Sequence, residues 1–247
     1  MTAIEETPFD KVAASYDVLW SETPIGKAQR TAVWNHIDPL FKPGDFVLDL
    51  GCGTGIDALH LLSRGVFVHG IDSSPRMVEL ARQRGVEAYC FPIEGLERLD
   101  LRLDGVISNF GALNCLPSLT SLAATLGRLV RSSGYVTLCF LNRICIWEIA
   151  FYLVRKPSKA FRRFKGHTNA SVGITVFYKS SHNIISAFRS KFRFVNSYGI
   201  GLSVPPSYVT FLNGLTIEQL SMIDGRLAHR LLLRSLADHR LYVFRRL

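Results

Sequence analysis

Apolar positions along the chain fall into two alternating patterns. Runs such as Phe46-Val47-Leu48, Val66-Phe67-Val68 and Val106-Ile107 are nearly continuous in apolar residues, as strands covered on both faces require. Between them, apolar residues recur at helical spacing. The first helical stretch covers 8–36, with Phe9, Val12, Ala13, Tyr16, Leu19 and Trp20 on one face, a break at Thr23-Pro24 and a second helix over 28–36. The pattern then predicts strands at 46–50, 66–71, 86–91, 104–109 and 134–141, with helices near 56–64, 75–84 and 117–131. Regular alternation of this kind specifies a parallel, doubly wound α/β sheet.

Past residue 141 the alternation stops. Ile144 to Phe164 reads as one or two helices with an apolar face (Ile146, Trp147, Ile149, Ala150, Leu153) and a basic tail (Arg155, Lys156, Lys159, Arg162, Arg163, Lys165). Strand-like Val172 to Tyr178 follows, then a helix over 181–190, a strand over 192–198, a turn at Pro205-Pro206, a helix over 216–235 and a last strand, Arg240 to Phe244.

The first strand runs into Asp49-Leu50-Gly51-Cys52-Gly53-Thr54-Gly55, and the next helix begins at Ile56. Glycines at alternate positions let the backbone turn sharply and approach a ligand, and the helix start presents unpaired N–H groups to an anionic or polar group. Gly53-Thr54-Gly55-Ile56-Asp57-Ala58 also satisfies the loose dinucleotide pattern G-x-G-x-x-A, so a nicotinamide cofactor is one candidate for the bend. The second strand ends in Asp72-Ser73-Ser74-Pro75-Arg76-Met77, and a carboxylate there can accept both hydroxyls of a ribose.

Val47 to Gly55 resembles motif I of class I S-adenosylmethionine-dependent methyltransferases, and the segment around Asp72 resembles the acidic motif that follows it. Phe9 to Asp17 resembles the N-terminal lid helix of the small-molecule members, in which the tyrosine lies against the cofactor. Leu103 to Asn114 resembles motif IV, beside the methionine end of the cofactor. The resemblance implies a Rossmann-like, seven-stranded sheet, mostly parallel, closed by an antiparallel hairpin made of 192–198 and 240–246. It implies N-terminal lid helices over 1–45, a cofactor-binding core over 46–141, and a C-terminal part, 142–247, that completes the sheet and carries cap insertions at about 142–178 and 201–237. S-adenosyl-L-methionine is the implied cofactor and S-adenosyl-L-homocysteine the product. Tyr16, Asp49, Gly51, Gly53, Asp72, Ser73, Ile93, Glu94 and Asn109 are the implied cofactor contacts. In the family an aspartate commonly receives the adenine amino group where this chain has Pro92, which leaves that task to Glu94 or to backbone groups near Ile93.

Composition narrows the partner. Residues 1–141 carry a net charge of −4 and residues 142–247 one of +13, together the chain's +9, so the basic character belongs to the second half. An anionic acceptor, an anionic membrane or RNA would each suit it, as would a solvated basic face. No N/D-P-P-Y/F motif follows the fourth strand and no RNA-binding module is recognisable, so no specific nucleic acid is expected. The acidic N-terminus has no apolar leader core, and the apolar stretch from Ile144 to Val154 contains Glu148 and is too short for a bilayer, so a cytoplasmic protein is expected. Five cysteines without C-x-x-C spacing read as reduced core residues, and seven scattered histidines give no metal site.

Methyl transfer from a sulfonium needs in-line approach and a dry pocket more than acid–base machinery. No catalytic dyad is evident in the sequence. Trp20, Asn114, Trp147, Tyr178 and Tyr208 are the candidates for an acceptor pocket, since aromatic rings orient planar substrates. The expected function is methyl transfer to a small-molecule acceptor. Alternatives are a non-catalytic binding module, and a lipid-like or RNA acceptor, the apolar faces of 144–165 then docking on a membrane.

Overall fold

The computed structural model describes residues 7–170 and 173–247. The chain enters through a short helix α1 (Ala13–Tyr16), continues as a π-helical turn (Asp17–Ser21), and resumes in α2 (Pro24–Ile37). Helix α2 starts four residues before the expected position, because the Thr23 side chain accepts the Gly26 N–H and Pro24 supplies a pre-set φ at the first helical position.

The alternating core follows: β1 (Phe46–Leu50), α3 (Ile56–Ser63), β2 (Phe67–Asp72), α4 (Pro75–Gln83), β3 (Glu87–Cys90), β4 (Leu103–Ser108), α5 (Thr120–Leu129) and β5 (Val130–Leu141). Beyond it lie α6 (Ile146–Arg155), α7 (Pro157–Ala160), a small hairpin of β6 (His167–Asn169) and β7 (Thr175–Phe177), then α8 (Ser181–Phe188), β8 (Phe192–Ile200), α9 (Gly214–Leu227) and β9 (His239–Arg246). The first strand of the small hairpin was not expected, and of the expected strand over 172–178, residue 172 lies outside the described residues, as do residues 1–6 of the expected lid. The helix expected over 216–235 stops at Leu227: the next carbonyl, of Ala228, accepts the Gly199 N–H of β8 at 2.8 Å and is drawn out of the helical ladder.

Seven strands form one sheet in the order β3-β2-β1-β4-β5-β9-β8. Strands β1 to β5 are parallel, while β9 runs antiparallel to both of its neighbours, so the closing hairpin is in place. One face packs Leu48, Val106, Val136 and Phe140 against Leu122 and Leu126 of α5 and Ile184 and Phe188 of α8. The other packs Val47, Ile107, Cys139 and Leu241 against Val33 and Ile37 of α2, Ala58 and Leu61 of α3, and Val78 and Ala81 of α4. Burial on both faces explains the unbroken apolar runs of β1 and β4. The strand order reverses between β1 and β4, and a doubly wound sheet gathers ligands outside the carboxyl ends at that point. No helix among the described residues is long and apolar enough to cross a membrane.

Candidate functional site

Gly51, Gly53 and Gly55 have φ of 71°, 53° and 81°, in the left-handed region that favours glycine. A Cβ at Gly51 would strike the Ala112 Cβ, whereas one at Gly53 would meet nothing within 4 Å. The bend is pinned to the end of β2: Gly51 and Cys52 donate their N–H groups to the Ile71 carbonyl at 2.8 and 3.0 Å, and Asp72 Oδ2 accepts the Gly53 N–H at 2.9 Å. Asp72 Oδ1 accepts the Ser74 N–H at 2.9 Å. Over the bend lies a cavity of about 170 Å3, walled by Gly51, Gly53 and Asp72, by Phe9 and Tyr16 from the N-terminal segment, by Asn109 to Ala112 after β4, and by Ile174 and Val176.

Two buried side chains near the bend have polar atoms without protein partners. Both amide atoms of Asn109 are buried and unbonded, as is Asp49 Oδ2, although Asp49 is only 2% exposed. Burial, reinforced by the carboxylate of Asp57, pushes the Asp49 carboxyl well up, against the pull of Arg30. Arg30 is itself committed to Asp57 at 2.5 Å, and Trp34 Nε1 donates to the other oxygen of Asp57 at 2.7 Å. Burial also raises Asp72, although the N–H groups of Ser74 and Gly53 oppose it. A cavity walled by the half-buried Asp72 carboxyl and the orphaned Asn109 amide, with the buried Asp49 carboxyl at the end of β1, fits a ligand bearing an ammonium and hydroxyl groups.

The N-terminal segment is latched over this bend. Asp17 Oδ1 accepts the Thr54 hydroxyl at 2.8 Å, Asp17 Oδ2 accepts Arg84 Nη2 at 2.6 Å, and Arg84 Nη1 reaches the Thr54 carbonyl at 2.7 Å. Asp10 Oδ1 accepts the Ser74 hydroxyl at 2.6 Å and the Arg76 N–H at 3.0 Å, at the start of α4. Burial pushes the Tyr16 hydroxyl up to about 12, so it stays a neutral donor.

A second cavity of about 700 Å3 adjoins the first, and Tyr16, Phe110, Leu141, Ala170 and Val176 wall both. Its other walls are aromatic (Trp20, Tyr152, Tyr178, Tyr208) and charged (Lys159, Arg162, Arg163, Asp238, His239). Glu148, 1% exposed, accepts Arg162 Nε at 2.8 Å, Arg163 Nε at 3.0 Å and the Tyr208 hydroxyl at 3.1 Å. Arg163 Nη2 donates to Asp238 Oδ1 at 2.7 Å, and Asp238 Oδ2 lies 3.3 Å from His239 Nδ1. Between the cavities Phe110, a non-glycine residue at φ 52°, sets its ring edge-on to Trp20 and to His239 at 4.7 and 5.5 Å between centroids.

Of the residues singled out in the sequence, Tyr16, Gly51, Gly53, Asp72 and Asn109 meet at the first cavity, with Asp49 buried at the end of β1. Trp20, Tyr178 and Tyr208 meet at the second. Ser73 is exposed beside Asp72, and Ile93 and Glu94 line a separate groove with Leu116 and Pro117. Asn114 lines neither cavity: fully buried, it accepts the Leu141 N–H at 2.9 Å and donates to the Phe177 carbonyl at 2.8 Å, stitching β7 to the end of β5. Trp147 donates to the Ser203 carbonyl at 3.1 Å and ties α6 to the 201–207 loop. Sequence reasoning missed Asp17, Arg84, Phe110, Arg163, Asp238 and His239. The last pair carried a usable signal, because the first residues of an antiparallel closing strand necessarily lie beside the carboxyl ends of the parallel ones, here His239 opposite Leu141.

Residues 47–134 match the family described as a methyltransferase domain. An uncharacterized protein of Methanocaldococcus jannaschii is 31% identical over 64% of this chain and 61% of its own length. A demethylmenaquinone methyltransferase of Corynebacterium kroppenstedtii is 31% identical over 53% of this chain, and the chain spans 57% of it. Among solved structures, a putative S-adenosylmethionine-dependent methyltransferase from Listeria monocytogenes superposes with TM-score 0.63 at 15% identity, over 90% of this chain and 99% of its own. The complex between the Haloferax volcanii Trm112 methyltransferase activator and the putative methyltransferase gives TM-score 0.64 at 18% identity, over 98% of both chains. Residues 47–134 thus match a methyltransferase domain, and the chain as a whole shares the fold of the S-adenosylmethionine-dependent methyltransferase structure from Listeria monocytogenes.

Proposed function

We propose that the protein binds S-adenosylmethionine in the first cavity and transfers its methyl group to a small organic acceptor held in the second. The observation that carries this reading is the wall the two cavities share, since a donor and an acceptor must meet across one boundary. The bound cofactor supplies an activated methyl on a sulfonium whose leaving group is a neutral thioether.

The chain's own residues bind, orient and exclude water. Asp72 offers a carboxylate to the ribose hydroxyls, the glycine bend admits close approach, and Asp49 and Asn109 offer an uncompensated carboxyl and amide to the polar methionine end. Tyr16, latched through Asp17, covers that end, and Phe110 and Trp20 close the boundary against water. Correct placement and exclusion of water are worth on the order of several kcal/mol of barrier. The segments 142–178 and 201–237 act as a substrate cap, joined through Glu148–Tyr208 and Trp147–Ser203. Relatives named for demethylmenaquinone and ubiquinone biosynthesis support a small organic acceptor over RNA.

Calorimetry with S-adenosylhomocysteine tests the reading. Asp72→Ala is expected to weaken binding by about 1.5–3 kcal/mol, the range for hydrogen bonds to a charged group. Unchanged affinity in that variant, or binding of NAD in place of S-adenosylhomocysteine, refutes it.

A further inference from the structure

Among the charged groups around the second cavity, His239 has no role in the reading above. It is 6% exposed, it lines the cavity, and its ring lies against Phe110, which walls both cavities. On β9 it is opposite Leu141, the last residue of β5, which also walls both. The imidazole therefore lies next to the boundary across which a methyl group would pass.

Its neighbours give the ring an orientation. Nδ1 is buried without a hydrogen bond and lies 3.3 Å from Asp238 Oδ2, a long electrostatic contact of the kind that tightens when a base becomes charged. Asp238 is held from its other side by Arg163, whose Nη1 also donates to the Asn142 and Asp238 carbonyls, both at 3.1 Å. Burial raises the Asp238 carboxyl, but His239 and Arg163 more than offset it, and the group lies well below the usual carboxylate range. A carboxylate beside Nδ1 is the acceptor that would select the Nδ1–H tautomer and leave the lone pair on Nε2 once that contact tightens.

We propose that His239, oriented by Asp238, is the general base for a phenol-type acceptor, and that the second cavity selects flat aromatic hydroxyl compounds. This rests on the methyltransferase reading and adds the acceptor class to it. Trp20, Tyr152, Tyr178 and Tyr208 supply faces and edges for an aromatic ring. Lys159 and Arg162 line the same cavity and favour an oxyanion over a neutral or cationic acceptor. In the step itself Nε2 takes the acceptor O–H proton; the oxygen electron pair forms the new C–O bond as the C–S bond breaks, its pair leaving on sulfur. The imidazolium then returns its proton to solvent, so no oxidant or reductant enters.

The charged and titratable groups that share the cavity wall with His239 are Asp238 beside it, Arg163 and Arg162 after α7, Lys159 on α7, Tyr16 from the N-terminal segment, and Tyr178 and Tyr208. The cations on the cavity wall favour an anionic phenolate there, and Asp238 is the carboxylate next to the ring.

The probe is 4-nitrophenol, whose phenolate absorbs in the visible, added to the protein saturated with S-adenosylhomocysteine. Below the solution midpoint of the dye, the complex is expected to bind it as phenolate, with its ionisation constant raised at least tenfold. Calorimetry in two buffers of different ionisation enthalpy is expected to show no proton reaching the buffer, because His239 keeps it. His239→Gln should return the dye to its solution ionisation while holding S-adenosylhomocysteine affinity within twofold, which also reports that the variant is folded. The proposal is overturned if the dye does not bind, binds as the neutral phenol, releases its proton to the buffer, or behaves alike in His239→Gln. Loss of S-adenosylhomocysteine binding by the unaltered protein is a different result, and it sinks the methyltransferase reading itself.

Discussion

Replacing Asp49 by asparagine is expected to stabilise the free protein and to weaken its hold on S-adenosylhomocysteine. Asp49 is 2% exposed and its Oδ2 has no partner. The carboxylates of Asp57 and Asp72 raise its cost of ionisation further, and the opposing Arg30 is already paired with Asp57 at 2.5 Å. A buried acceptor left unsatisfied costs about 1–3 kcal/mol, and more when charged. Asparagine has the same shape and is never charged, so a gain of about 1–2 kcal/mol is expected at pH 8, or roughly 2–8 °C in Tm for a chain of this size. The pH dependence has a definite sign. The folded midpoint of Asp49 is raised, so above the ordinary carboxylate range the folded protein binds more protons than the unfolded chain, and its stability falls as pH rises. As pH falls the carboxyl is increasingly protonated in the folded protein and the gain from asparagine shrinks. A ligand ammonium reverses the balance, because it is the partner the carboxylate lacks. Losing it should cost roughly tenfold to a hundredfold in affinity, the equivalent of a charge-assisted hydrogen bond. Thermal melts at pH 5 and pH 8, with and without S-adenosylhomocysteine, give both signs in one experiment. A variant that is less stable at pH 8, or that binds the ligand as tightly as the unaltered protein, refutes a carboxylate built for a cation.

Gly51→Ala should abolish S-adenosylhomocysteine binding in calorimetry, because its Cβ strikes Ala112 and its φ of 71° is strained for alanine. Asp17→Asn should release the N-terminal latch: the pair with Arg84 is partly exposed, so only about 0.5–1 kcal/mol is lost, read as a severalfold faster ligand dissociation in stopped flow. Burial raises the Asp17 carboxyl, but hydrogen bonds from Ser21, Thr54 and Arg84 hold it below its ordinary value, so the latch persists above the ordinary range and loosens as pH falls through the depressed midpoint. Arg163→Met leaves Glu148 short of one partner and Asp238 without its guanidinium, at a cost of about 3–5 kcal/mol and a fall in Tm on the order of 10 °C; an unchanged melt would show that the network is not what holds the segments together.

The parts of the site that the sequence made legible are those built from neighbours in the chain. The β1 strand, the glycine bend and the start of α3 occupy residues 46 to 56, and each states its conformation locally through apolar run, glycine and helix start. Asp72 was legible for the same reason, at the end of a second strand in register with the first. Asn114 shows the limit of that reasoning. A polar residue past the end of β4 is where a ligand contact belongs, yet its amide serves the Leu141 N–H and the Phe177 carbonyl, and the strand it stitches lies 63 positions downstream. Glu94 depends on distant chain in the same way: its neighbours in its own groove, Leu116 and Pro117, come from the far side of β4. The Asp238–His239 pair is adjacent in sequence, but its meaning depends on the register of β9 against β5, which no local pattern states.

The charge asymmetry of the chain resolves in the same long-range way. The second half has only four acidic residues, and Glu148, Asp224 and Asp238 are buried, so its +13 does not measure a surface field directly. Asp224 accepts the Leu202 and Val204 N–H groups, while Glu148 and Asp238 hold Arg163. Several arginines are likewise turned inward: Arg240 bonds the hydroxyls of Ser181, Ser197 and Ser235, Arg234 the Ser197 carbonyl, and Arg246 the Gly127 and Lys191 carbonyls. Guanidinium groups used in this way crosslink the closing hairpin to its surroundings and are not free to track a phosphate backbone. Of the basic tail after α6, Lys159 and Arg162 face the second cavity. Part of the basic half is thus the framework of a chamber and part a cationic wall inside it, while Arg143, Arg155, Lys156, Arg189 and Arg193 are exposed to solvent.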